Sequence, residues 1–139
     1  MNTVGVLGED LATHYLEERS YSILDRNFRE KFGEIDIIAK SPDGILVFVE
    51  VKTLFYKKNL PDETGNSNRQ FDILSPQDEM TQSKIRKLYR VCEFYARRYE
   101  KLIDEERGWQ IDFIGISVFD MNPKNEDDVI IAHYENIAG

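Results

Sequence analysis

Apolar residues recur at helical spacing at the start of the chain, where Val4, Leu7, Leu11, Ala12, Tyr15 and Leu16 share one face. With Asn2 or Thr3 as cap, this spacing predicts an amphipathic helix ending near Arg19. The period then changes. Residues 21–30 and 33–40 have strand character, and the Ser-Pro-Asp-Gly turn at 41–44 leads into a third strand over 45–53, ILVFVEVKT. Three strands in succession, with short connections, predict an antiparallel meander.

Residues 54–76 show no period and carry Pro61, Gly65 and Pro76, which predicts a long loop. Such loops in compact domains are often functional or mobile. Beyond it, Ile85, Leu88, Cys92, Tyr95, Tyr99 and Leu102 mark the buried stripe of a long helix, capped by Thr81 or Ser75 and stopped by Gly108. Residues 109–119 and 129–134 read as two further strands around a polar turn at 122–128. No repeat divides the chain, so residues 1–139 are expected to form a single α/β domain with a mixed sheet flanked by helices. The long helix would cross over to bring a later strand beside an earlier one.

Composition narrows the class. The chain is 41% hydrophobic and 12% aromatic, and no apolar run approaches the roughly 20 residues of a membrane span. The first residues lack the basic lead and apolar stretch of a secretion signal, so a cytoplasmic location without membrane contact is expected. Cys92, alone and on the apolar stripe, reads as a buried small hydrophobe.

A net charge of −8 opposes nucleic-acid binding, because neutralisation of phosphates by Lys and Arg supplies most non-specific affinity. The average conceals an asymmetry. Lys84, Arg86, Lys87, Arg90, Arg97, Arg98, Lys101 and Arg107 are eight of the 18 basic residues, and they cluster in one segment. They offer either a positive face or a solvated helix with ion pairs to Glu93, Glu100 and Asp104.

The candidate chemistry lies in the hairpin of GEIDIIAK and ILVFVEVKT. If Lys40 pairs with Leu46, Asp36 falls opposite Glu50 and Glu34 opposite Lys52, all on one face. Carboxylates facing each other across a ladder are only about 5 Å apart and repel. A hard divalent cation such as Mg²⁺ or Mn²⁺ offsets that repulsion, held by Asp36, Glu50 and the Val51 carbonyl. Lys52 then stands where a developing negative charge would be met. The plainer alternative is a solvated edge strand with Asp36 in a salt bridge. Against it, Glu50 and Lys52 sit among Val47, Phe48, Val49 and Val51, which reads as a central strand, where unpaired charge is costly.

An Asp on one strand followed by Glu-x-Lys on the next resembles the PD-(D/E)XK signature of restriction-endonuclease-like nucleases. More closely, GVLGEDLATHYL at 5–16, ILDRNFR at 23–29, GEIDIIA at 33–39 and VFVEVKT at 47–53 resemble the YraN-like family of small bacterial proteins. Thr81 with Lys84, Ile111-Asp112-Phe113 and residues 131–138 extend the likeness over nearly the whole chain. The resemblance implies a restriction-endonuclease-like αβββαβ core related to Holliday-junction resolvases. It also implies Glu9 as a helix-borne acid of the metal site, and Lys84 as a phosphate contact. Two departures lie beside the site: Leu54 stands where the family usually has Arg, and residues 55–76 are longer than its short connection.

Other polar residues are expected to have humbler roles. Glu34 reads as a partner for Lys52, Asp112 as a hydrogen-bonded structural acid, and His14 and His133 as structural or surface residues. Tyr89, Phe94 and Tyr95 read as packing residues rather than base-stacking ones. The sequence thus points to a metal-dependent nuclease, with DNA, branched DNA included, as the favoured substrate and Lys84 and Lys87 as binding residues. Its alternative is a non-catalytic nucleic-acid-binding module, or an adaptor for a DNA-processing protein. Cutting two strands with one site per chain would call for a homodimer.

Overall fold

A computed structural model describes residues 3–57 and 73–139. Helix α1 (Thr3–Glu18) precedes three strands, β1 (Ser22–Glu30), β2 (Gly33–Lys40) and β3 (Leu46–Phe55). A single helical turn, α2 (Pro76–Glu79), leads to α3 (Gln82–Arg98), then to β4 (Trp109–Val118) and β5 (Val129–Tyr134). The expected meander and the later crossover are both present. The sheet runs β1-β2-β3-β4-β5, antiparallel throughout except for the parallel pair β3 and β4.

The two helices cover opposite faces. Leu88, Val91, Cys92, Tyr95 and Ala96 of α3 bury against Ile38, Leu46, Phe48 and Ile111. Ala12 and Leu16 of α1 bury against Ile37, Val47, Val49, Ile114 and Ile116 on the other face. Cys92 is fully buried, as its place in the stripe predicts. Residues 35–39 of β2 and 46–49 of β3 are buried without interruption, the mark of strands covered on both sides. Glu50 and Lys52 therefore continue a central strand, not an edge.

Three boundaries differ from the sequence reading. Strand β3 continues to Phe55 because β4 pairs with it along its whole length. The helical turn α2, with Pro76 in its first turn, falls at the end of the expected loop, whose residues 58–72 lie outside the described residues. Helix α3 starts at the expected Thr81 cap, whose hydroxyl accepts from the Lys84 amide, but stops at Arg98 instead of Gly108. Tyr99 leaves the helical region, and a 3₁₀ turn over Glu100–Leu102 follows. Gly108, at φ 67°, closes a separate turn in which its amide donates to the Asp104 carbonyl. Among the described residues no helix is long and apolar enough to cross a membrane.

Candidate metal and phosphate site

The register from Lys40 opposite Leu46 to Ile37 opposite Val49 is the one the hairpin predicts. The paired register ends there, one step before Asp36 and Glu50. In place of a further main-chain rung, the Val51 amide donates to Oδ2 of Asp36 at 2.8 Å. Glu50 follows the alternation of Phe48 and faces α3, whereas Asp36 lies where the alternation of β2 breaks, between Ile35 and Ile38 packed under α3 and Ile37 packed under α1.

Neither acid is in an ion pair among the described residues, and both are largely shielded from water. Burial raises Asp36 to about 6; the Val51 hydrogen bond lowers it, while Glu9 and Glu34 raise it further. Burial raises Glu50 to about 8, reinforced by the Asp36, Glu34 and Glu9 carboxylates and opposed by Lys84. The two groups titrate as a pair. Such a pair of oxygen donors, buried and short of positive charge, fits the needs of a hard divalent cation.

Glu9 comes from α1, and the place of α1 is set by contact with β3. A Cβ on Gly8 would overlap the Thr53 side chain, with Thr53 Cγ2 only 2.8 Å away, so only glycine lets the helix approach so closely. Arg26 of β1, which no sequence motif singles out, lies 3.8 Å from Glu9 and 2.9 Å from Asp10. Its Nε is buried without a hydrogen-bond partner. Two residues to either side of the β1 turn also pair: Arg29 binds Glu34 at 3.2 Å. This corrects the expected pairing of Glu34 with Lys52. Lys52 is exposed, with no ion pair to its amine among the described residues.

On the α3 side a cavity of about 200 Å³ opens beside Glu50, lined by Phe32, Met80, Lys84, Lys87 and Leu88. Both expected phosphate contacts thus face the acid-bearing end of the sheet. Elsewhere on α3 the solvated-helix reading holds in part, with Arg97 3.6 Å from Glu93 one turn earlier.

Asp112 is hydrogen-bonded, as expected, but its partners were not foreseen. It is fully buried and accepts from Gln110 Nε2 and the Asn136 amide at 2.9 Å each, while Oδ2 meets His133 Nε2 at 2.8 Å. His133 is therefore neither free nor a surface residue. His14 is exposed, 3.8 Å from Glu17.

The family model described as "Uncharacterised protein family UPF0102" matches residues 8–116. The chain belongs to this family. It is 35% identical to a UPF0102 protein of Flavobacterium johnsoniae over 132 residues, which cover 95% of this chain and 90% of that one. A UPF0102 protein of Caldicellulosiruptor saccharolyticus is 37% identical over 88% of this chain and 86% of its own. The counterpart in Campylobacter fetus is 37% identical over 81% of each. The matched span of the UPF0102 chain takes in α1 from Gly8 on, the hairpin, α3 and most of β4, and with them every member of the candidate site.

Proposed function

We propose that the protein is a divalent-metal-dependent nuclease with a core of the PD-(D/E)XK kind, acting on nucleic acid and by preference on DNA. The observation that carries this reading is the pair Asp36 and Glu50: two shielded carboxylates with raised proton affinity and no ion pair among the described residues, beside a cavity lined by Lys84 and Lys87. Asp36, Glu50 and the Val51 carbonyl would hold Mg²⁺ or Mn²⁺, with Glu9 alongside. When bound, such an ion supplies Lewis acidity and a more acidic water.

The protein's own groups have distinct tasks. Lys52 follows Glu50 on the same face and donates to the charge that builds on the phosphate as the bond breaks. Lys84 and Lys87 neutralise phosphates flanking the one attacked. Phe32, Met80 and Leu88 give the cavity an apolar wall against which a sugar or base edge can rest.

The test is cleavage of branched, single-stranded and duplex DNA, and of RNA, by purified protein with Mn²⁺. Product formation by the parent and none by Glu50→Gln supports the reading; no cleavage of any substrate overturns it. A second reading, a binding or adaptor module that keeps the fold, is favoured by the net charge of −8 and by Leu54 in place of an arginine. It predicts retained binding with no cleavage, and indifference of that binding to Glu50→Gln.

A further inference from the structure

On the opposite face of the sheet, a second group of ligating side chains converges. Asp112 follows the alternation of Ile114 and Ile116, which pack under α1, whereas Glu50 faces α3. In the β4–β5 ladder His133 is opposite Ile114, and one more step would set Glu135 across from Asp112. The three side chains are thus direct and diagonal neighbours on one face. One ligand atom from each lies within 4.8 Å of the others.

We propose that Asp112, His133 and Glu135 form a second metal site, for Zn²⁺ or a similar late first-row divalent ion, separate from the one at Asp36 and Glu50. One imidazole nitrogen with two carboxylates suits such an ion better than Mg²⁺, which favours oxygen alone. The charges of the two carboxylates balance a divalent cation, and Asp112, at zero exposure, has no Lys or Arg partner among the described residues.

The surroundings fix the ligands in the way ligating residues need. Gln110 and the Asn136 amide both bind Oδ1 of Asp112, which leaves Oδ2 turned to His133. The Tyr15 hydroxyl lies 3.2 Å from Nδ1 of His133, so the ring is oriented with Nε2 inward. Tyr21 donates to Glu135 at 3.4 Å. Ligand atoms around a tetrahedral zinc with its usual bond lengths are roughly 3.3 Å apart, so the 2.8 Å between Asp112 and His133 needs to widen by only a few tenths of an ångström. Glu135 is exposed, which gives the ion a way in.

The experiment is calorimetric titration of untagged protein with Zn²⁺, in an Asp36→Asn background that disables the other site. One zinc per chain is expected, with affinity reduced roughly tenfold or more by Glu135→Gln and about as much by Tyr15→Phe, which removes the hydroxyl that orients His133. His133→Gln should abolish binding, and cobalt in place of zinc should give visible absorption that this variant loses. Because Glu135 is exposed, its variant keeps the test decisive should His133→Gln not fold. No binding by the Asp36→Asn protein, or equal binding by it and its Glu135→Gln derivative, overturns the proposal; either result leaves the nuclease reading standing, as cleavage alone decides that.

Discussion

The amide of Val51 is bound to the side chain of Asp36, at 2.8 Å, where the next rung of the hairpin ladder would have been. Asparagine at position 36 keeps an oxygen for that amide yet removes the repulsion with Glu50. Asp36→Asn should therefore be as stable as the parent without metal, or more so, but gain much less from millimolar Mn²⁺, since a ligand stabilises only a state that binds it. Thermal melts with EDTA and with Mn²⁺ measure both effects. A destabilised variant whose melting is indifferent to metal would remove the basis of the site.

The raised proton affinities carry a pH signature. Both carboxylates bind protons more tightly in the folded state, so the native protein holds more protons than the unfolded chain between about pH 4 and the folded values of about 6 and about 8. Stability of the metal-free protein from these groups is then fully present below about pH 4. It declines as pH rises through the folded values, by an amount on the order of a few kcal/mol. Denaturant melts across this range should show the decline, and Asp36→Asn with Glu50→Gln should flatten it. Bound metal competes with the same protons, so Mn²⁺ affinity should rise over the same interval.

Lys52→Ala should leave Mn²⁺ affinity nearly unchanged while cleavage falls by a factor on the order of a hundred or more, because the amine acts on the transition state and ligates nothing. Single-turnover rates at saturating substrate separate the two effects. Equal rates in variant and parent would take Lys52 out of the mechanism.

Lys84→Ala combined with Lys87→Ala should weaken binding to all sequences alike and lower the slope of log affinity against log salt by nearly two for duplex DNA. Fluorescence anisotropy at several salt concentrations gives the slope. An unaltered slope would return these lysines to solvent.

Gly8→Ala should cost roughly 1–3 kcal/mol, since the added methyl group meets Thr53 in a packed interface and the helix must shift. Thr53→Ala, which removes both the hydroxyl and the methyl group that the new Cβ would overlap, should recover part of that loss. Urea unfolding of the two single variants and the double variant measures the coupling.

Much of this was legible because period and register are local properties. The five strands and both main helices follow from spacing within short windows, and the one turn at 41–44 sets the hairpin register from Lys40 and Leu46 to Ile37 and Val49, one step short of Asp36 and Glu50. The apolar spacing runs past the end of helix α3: Tyr99 has already left the helix and Leu102 packs from a 3₁₀ turn, yet both keep the helical period in sequence. The link between Asp112 and His133 needed a pairing that sequence distance hides. Its signal was present in an Asp inside the apolar run WQIDFIGISVF and in the alternating residues His133 and Glu135, had β4 and β5 been aligned antiparallel. No local pattern points to Arg26, because its partners Glu9 and Asp10 come from α1, whose docking depends on contacts distant in sequence.

The sheet's order also bears on how the protein assembles. Strands β1, β2 and β3 pair with their sequence neighbours, whereas β3 meets β4 only after the chain has passed through α3. Contacts close in sequence form at lower entropic cost than distant ones. The two acids should thus come side by side in an early hairpin, still in water and still ionised. Their cover, and with it their affinity for protons, arrives only when α3 and β4 dock. Near neutral pH the last stage of folding should accordingly draw a proton from solution, an event that a pH indicator dye would register as a slow phase following the first rise of strand structure.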